Sequence, residues 1–209
     1  YDREKGTVTI VVQRVGRGTT KISYFEEGET LENVEGPLGN PSDFLFENVE
    51  DLKKKSFVFI GGGLGNAPVY PQVKWLHDHG ITPDVIMGSR TKDLVFWEEK
   101  MSEVGNVYVT TDDGTYGRHG MVTTCLEDLV TKEGKHYDEC IVIGPMIMMK
   151  FVTILTRNLG IPTFVSMNPV MVDGTGMCGA CRLTIDGEVK FACVDGPEFD
   201  GHKVNFEEA

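Results

Sequence analysis

The 209-residue chain has no run of about 18 apolar residues, so no stretch of it could cross a bilayer as a helix. It is also short of positive charge. Twenty lysines and arginines stand against 32 aspartates and glutamates, a net charge of −12. That balance argues against nucleic acid and an anionic membrane surface as partners. It leaves room for a phosphate-bearing ligand, because backbone N–H groups at a helix start can hold phosphate without net charge. No signal-peptide pattern opens the sequence, and neither an internal repeat nor a low-complexity tract interrupts it, so a cytoplasmic protein is expected. Cysteine is scarce, 5 in all, which argues against a disulfide framework. The histidines (His77, His79, His119, His136, His202) lack metal-like spacing and read as surface or structural residues.

What is present divides the chain into three. Residues 1–50 read as β structure, with the β-branched run Thr7–Gln13 as a strand and turn signals at Gly16, Gly18, Gly28 and Gly36-Pro37-Leu38-Gly39. One short strand cannot close a barrel, so more sequence is expected ahead of Tyr1. From Ser56 the rhythm becomes alternating strands and helices. Strands are predicted at 56–60, 84–87, 107–111, 139–143 and 163–165, with helices at 67–79, 92–104, 122–130 and 146–159. This alternation over 51–168 predicts an α/β, doubly wound parallel sheet of nucleotide-binding type. Residues 169–209 form a small terminal module with a hairpin, 182–185 and 189–192, turning at Asp186-Gly187.

Three of the five cysteines fall in that module, spaced Cys178-x2-Cys181-x11-Cys193. Two cysteines around Gly179-Ala180 form a knuckle that can aim both sulfurs at one ion, and the third arrives across the hairpin. Such thiolate sets suit iron–sulfur centres or zinc. Cys125 and Cys140 read as core residues. Asp173 lies five residues before Cys178 on a glycine-rich loop, and with it the segment reads D-x4-C-x2-C-x11-C. That fits the plant-type [2Fe–2S] spacing with one substitution, while a structural zinc knuckle stays open.

After the first α/β strand come Gly61-Gly62-Gly63-Leu64-Gly65-Asn66-Ala67-Pro68. Glycines let backbone approach a pyrophosphate, the next helix start offers free N–H groups, and Pro68 suits its first turn. Proline stands where the last glycine of G-x-G-x-x-G would be, so a plain tight turn is the competing reading. The second strand ends near Ser89-Arg90, where an arginine would accommodate the 2′-phosphate of NADP. At the fourth strand's end, Gly144-Pro145-Met146 opens a helix facing the same crevice.

The order of β segment, glycine loop, Gly144-Pro145 and cysteine module resembles the ferredoxin–NADP⁺ reductase superfamily. Val170–Arg182 (VMVDGTGMCGACR) and Phe191–Gly201 (FACVDGPEFDG) narrow this. They resemble the small subunits of NADH-dependent reduced ferredoxin:NADP⁺ oxidoreductases, also known as sulfide dehydrogenase subunits, and the related dihydroorotate dehydrogenase electron-transfer subunits. The resemblance implies a [2Fe–2S] cluster on Asp173, Cys178, Cys181 and Cys193, and FAD in an N-terminal antiparallel β-barrel of which this chain holds part. It places flavin contacts at Val11, Val12 and Gln13 and at Gly18-Thr19. It also implies NAD as the nucleotide, against the lean of Arg90 to NADP, and a larger partner subunit in a heterodimer. The family's Arg-Pro-Leu-Ser/Thr flavin motif is expected ahead of Tyr1. A flavin-free electron carrier is the alternative.

Overall fold

The computed structural model describes residues 2–208, which separate into two units, 2–37 and 38–208. Tyr1 and Ala209, the outer ends of the first and last predicted segments, lie outside the described residues.

In the first unit, α1 (Arg17–Ile22) is the only helix among the described residues. The predicted strand Thr7–Gln13 does not form. Thr7 makes one isolated antiparallel bridge to Asp2, and residues 8–15 run without a ladder. β-Branched residues favour an extended backbone, but a strand also needs a hydrogen-bonding neighbour, and none forms a ladder with this run among the described residues of the unit. The turn expected around Gly16 and Gly18 is instead the start of α1. The Thr19 hydroxyl accepts the N–H groups of Val15 and Gly16, both at 3.1 Å.

The second unit is mixed α/β around a seven-stranded sheet. After the short α2 (Val49–Leu52), the chain runs β1 (Phe57–Gly62), α3 (Asn66–Asp78), β2 (Asp84–Ser89) and α4 (Glu98–Ser102). It continues through β3 (Asn106–Thr111), β4 (Arg118–His119), α5 (Val122–Thr131), β5 (Glu139–Ile143), α6 (Met146–Leu159) and β6 (Thr163–Ser166). The hairpin β7 (Arg182–Ile185) and β8 (Glu188–Phe191), α7 (Ala192–Asp195) and β9 (Glu198–Asp200) complete it. The sheet order is β4-β3-β2-β1-β5-β6-β9, parallel except for β9.

Side chains on successive residues of a strand point to opposite faces, and the sheet uses both. Val58, Ile60, Cys140 and Val142 pack with Leu126, Leu129, Met149 and Val152 from α5 and α6 on one face. Phe57, Phe59, Ile141 and Ile143 pack with Val69, Val73 and Leu76 from α3 on the other. Strands covered on both sides read as nearly continuous apolar runs, and β1 and β5 are buried along their whole lengths, with Glu139 at the start of β5 the charged exception.

Two differences from the sequence reading have local causes. The helix expected over 92–104 is broken. A 3₁₀ turn at Lys92–Leu94 gives way to extended backbone, and Trp97 takes a left-handed conformation at φ 60° before α4 begins. The Trp97 ring packs edge-on against Tyr70 with centroids 5.7 Å apart, and Lys100 Nζ lies 4.2 Å from the Trp97 ring centre. These contacts hold the strained residue in place of a helical one. Secondly, the terminal module adds β9 to the main sheet. Cys181, Leu183, Ile185, Cys193 and Phe199 belong to the same buried cluster as Val58 and Ile60. The hairpin turns at Asp186 (φ 52°) and Gly187 (φ 77°), the two positive values that a type I′ turn requires.

Candidate functional site

The carboxyl ends of β1, β2, β3 and β5 gather at one edge of the sheet. β1 lies between β2 and β5, so the chain reverses its direction of winding there, and a crevice opens at such a point. The β1 loop and the β5 loop meet backbone to backbone. A Cβ on Gly65 would sit 2.1 Å from the carbonyl oxygen of Ile143, and one on Gly144 would sit 3.1 Å from Gly62 Cα. Gly63 differs. It has φ 53° and nothing within 4 Å of where a Cβ would be, so its backbone faces open space. Around it Ala67 is half-buried, Pro68 and Pro145 are exposed, and Met146 is half-buried. Glycine backbone open to solvent just ahead of a helix start is the arrangement a pyrophosphate needs.

Asn66 opens α3 from a fully buried position. Its Nδ2 donates to the Gly63 carbonyl at 3.0 Å, while its Oδ1 has no partner among the described residues. Asn168 Nδ2 donates to the Gly144 carbonyl at 3.1 Å, tying the start of the terminal module to the β5 loop. The sequence reading passed over both. The signal available was a carboxamide beside each glycine turn, where free backbone carbonyls need donors. At the end of β2, Ser89 is buried with its hydroxyl 3.5 Å from the Leu94 carbonyl, while Arg90 is exposed.

The cysteine loop folds back on itself through Gly174, Gly176 and Gly179, all at positive φ. Asp173 closes it: Oδ1 accepts the N–H of Thr175 at 2.7 Å and Oδ2 that of Cys178 at 2.8 Å. These bonds, that of Thr175 above all, hold the Asp173 carboxyl below its ordinary range. Cys181 and Cys193 are buried with their sulfurs 3.3 Å apart, and the N–H of Cys193 points at Cys181 Sγ at 3.5 Å. The hydrogen bond with Cys181 pushes the Cys193 thiol up. Cys178 is exposed, and its sulfur accepts from the N–H of Ala180 at 3.5 Å. The four predicted ligands thus stand as two pairs on one loop and hairpin. Among the described residues they do not converge into a group of three or more that could hold a metal. The donor chemistry still fits an iron–sulfur cluster: three cysteines and a carboxylate, with backbone N–H groups directed at two of the sulfurs. Cys125 and Cys140 are buried core thiols, as expected, and burial raises the Cys125 thiol to about 11.

On β9, Glu198 is a half-buried carboxyl, and among the described residues no cation pairs with it. Its Oε1 accepts from Ser42 Oγ at 2.9 Å and from Gln72 Nε2 at 2.7 Å. Burial, with Asp43 adding to it, lifts Glu198 above its ordinary 4.5 against these two donors. A carboxyl raised on folding stabilises the fold fully below its ordinary value, and that contribution is lost as pH rises through the folded value. Glu198→Gln keeps the acceptor and removes the charge. Its thermal midpoint is expected to gain on the parent's progressively as pH rises above about 4.5. A difference that stays constant with pH would refute this role.

Residues 168–205 match the iron–sulfur cluster binding domain of dihydroorotate dehydrogenase B. A Thermotoga maritima protein, a homologue of the dihydroorotate dehydrogenase B (NAD⁺) electron-transfer subunit, is 44% identical over 205 residues, covering 98% of this chain and 70% of its own. The chain belongs to this electron-transfer subunit family. An uncharacterised Clostridium beijerinckii protein encoded in the adh 3′ region is 63% identical over 210 residues, covering 100% of this chain and 71% of its own. Among solved structures, the NADH-dependent reduced ferredoxin-NADP oxidoreductase, studied for flavin-based electron bifurcation, contains a similar chain. It superposes with a TM-score of 0.84 at 43% identity, over 94% of this chain and 68% of that one. The family's cluster-binding segment thus coincides with the loop and hairpin that carry Asp173, Cys178, Cys181 and Cys193.

Proposed function

We propose that the chain is the electron-transfer subunit of a flavin and iron–sulfur oxidoreductase. It passes electrons between a nicotinamide dinucleotide, FAD and a [2Fe–2S] cluster, to or from a larger subunit in a heterodimer. One observation carries this reading: the cysteine hairpin packs into the same hydrophobic cluster as the strands that build the nucleotide crevice. A redox group on the hairpin is therefore rigidly coupled to that crevice. Flavin and cluster, when bound, supply the conversion of a hydride into single electrons.

The residues of this chain hold and orient. Gly61, Gly62, Gly63, Gly65, Ala67 and Pro68 receive the pyrophosphate, and Gly144, Pro145 and Met146 border the nicotinamide end. Ser89 and Arg90 flank the adenosine ribose. Asp173, Cys178, Cys181 and Cys193 hold the cluster. Val11, Val12, Gln13, Gly18 and Thr19 supply part of a flavin site in a barrel to which residues 1–50 contribute. Residues 51–168 then serve the nucleotide and 169–209 the cluster. In this electron transfer no side chain acts as an acid, base or nucleophile. Five unpaired cysteines suit a reducing compartment, so the cytoplasm is the proposed location. Among the described residues, no helix is long and apolar enough to cross a membrane.

The Thermotoga maritima relative is a homologue of an NAD⁺-linked subunit, which supports NAD. The exposed Arg90 supports NADP as a second reading. Asp173 favours the ferredoxin-linked oxidoreductases, whose resemblance implies an aspartate there, over dihydroorotate dehydrogenase. The deciding experiment is co-purification of the full-length protein with its partner, followed by iron, sulfide and flavin analysis and rapid mixing with NADH or NADPH. Iron with labile sulfide, flavin, and bleaching by one of the two nucleotides are expected. Zinc without sulfide, or no bleaching by either nucleotide, would overturn the assignment.

A further inference from the structure

The two sulfurs in contact, Cys181 and Cys193, are both buried, at 2% and 8% exposure, while Cys178 is exposed on the loop that precedes them in the chain. They sit on opposite sides of a hairpin whose register is fixed by four paired positions from Arg182–Phe191 to Ile185–Glu188. The Cys181 carbonyl also accepts the N–H of Ala192 at 3.0 Å, which locks the two cysteine-bearing ends of the hairpin together. The sulfurs are in contact at 3.3 Å, against a disulfide bond length of about 2.0 Å. Among the described residues Cys178 has no hydrogen-bonded sulfur beside it: its sulfur accepts the Ala180 N–H at 3.5 Å.

We propose that, in the chain without its cluster, Cys181 and Cys193 form an intramolecular disulfide and Cys178 is left outside it. The pair thereby acts as a redox lock on cluster loading. The inference rests on the reading of these cysteines as cluster ligands. The oxidant is a small-molecule disulfide of the glutathione class. The thiolate of Cys193, the less buried of the two, attacks one of its sulfurs, and the reagent's S–S bond breaks to release one small thiol. Cys181 then attacks the mixed disulfide at Cys193 and releases the second. Two protein thiols are oxidised to one disulfide, one reagent disulfide is reduced to two thiols, and the two protons leave on those thiols. A chain so locked has only Cys178 and Asp173 free to receive iron, and two-electron reduction is required before the full set can assemble.

The test uses the full-length protein with its cluster removed by chelation under reducing conditions. It is then exposed to oxidised glutathione, alkylated and analysed by peptide mass. The expected product is a Cys181–Cys193 linked peptide lighter by two hydrogens, with Cys178 recovered alkylated or as its glutathione adduct. Cys125 and Cys140 should remain thiols. Cys178→Ser should keep the link, and Cys181→Ser should abolish it. Iron and sulfide uptake by the oxidised chain should fall by about tenfold or more and return on adding dithiothreitol. Alkylation of all three cysteines at one rate, or a disulfide that includes Cys178, would overturn the proposal. Iron and sulfide analysis of the protein as isolated separates the two failures: a protein that contains both but never forms the link loses only the lock.

Discussion

Gly65→Ala is expected to cost about 3 kcal/mol of stability, because the added methyl overpacks a site where only backbone can yield. The methyl carbon would stand 2.1 Å from the Ile143 carbonyl oxygen, 2.6 Å from its carbon and 3.0 Å from Gly144 Cα. Gly65 itself has an ordinary helical backbone (φ −58°, ψ −19°), so conformational strain plays no part. Relief requires the end of β5 to move away from the β1 loop. That displacement opens the crevice at the point where the two loops meet, so binding and stability fall together. In a chain of this size the loss corresponds to a drop of about 6–12 °C in thermal midpoint. Nucleotide affinity is expected to fall by about tenfold, since loss of one good contact to the pyrophosphate is worth that much.

Gly63→Ala is the informative comparison. Its methyl meets nothing within 4 Å, and its cost comes from the left-handed backbone alone, about 1–2 kcal/mol. Thermal melts of both variants, with NADH titration followed by fluorescence, check the ordering. If Gly63→Ala proved the more destabilising, the backbone contact between the β1 and β5 loops would not be the constraint that shapes this site.

That contrast also marks where sequence reasoning reaches its end. The glycine loop was legible because glycines between a buried strand and a helix have a known use. Which glycine needs its space and which its φ depends on β5, some 80 residues downstream of Gly65, and no local pattern encodes that. The helix Met146–Leu159 and the strand Glu139–Ile143 were legible to the residue, because their apolar periodicity and their terminal Pro145 and Gly160 agree with what the fold asks of them. Thr7–Gln13 misled because strand propensity says nothing about a partner. Trp97 misled because one aromatic contact outweighed helical spacing. β9 was missed since three residues, Glu198–Asp200, are too few to carry a period, and only the edge of β6 gives them a reason to extend. Of the cluster site, the cysteines were legible from spacing. Spacing set Asp173 in the first position of a plant-type pattern, and only the resemblance implied it as a ligand, because one aspartate on a glycine loop has many local uses.

The structure gives Asp173 one such use, and that sharpens the largest prediction at the cluster. Its two oxygens already hold the N–H groups of Thr175 and Cys178. As a ligand it would have to combine this loop-closing role with coordination through its remaining lone pairs, which a carboxylate has the capacity to do. The two roles separate by substitution. Asp173→Ala removes both and is expected to yield protein with little iron and a less stable loop. Asp173→Cys restores a ligand but not the pair of oxygen acceptors, so it should retain the cluster while the cluster-free chain melts lower than the parent. Thiolate donates more electron density to iron than carboxylate does and stabilises the oxidised centre. The midpoint potential of Asp173→Cys should therefore fall, by on the order of 100 mV, well within the range that ligand exchange spans in such clusters. Redox titration followed by electron paramagnetic resonance measures it. An unchanged potential in Asp173→Cys, with full iron in Asp173→Ala, would leave Asp173 as a loop clamp and require a different fourth ligand.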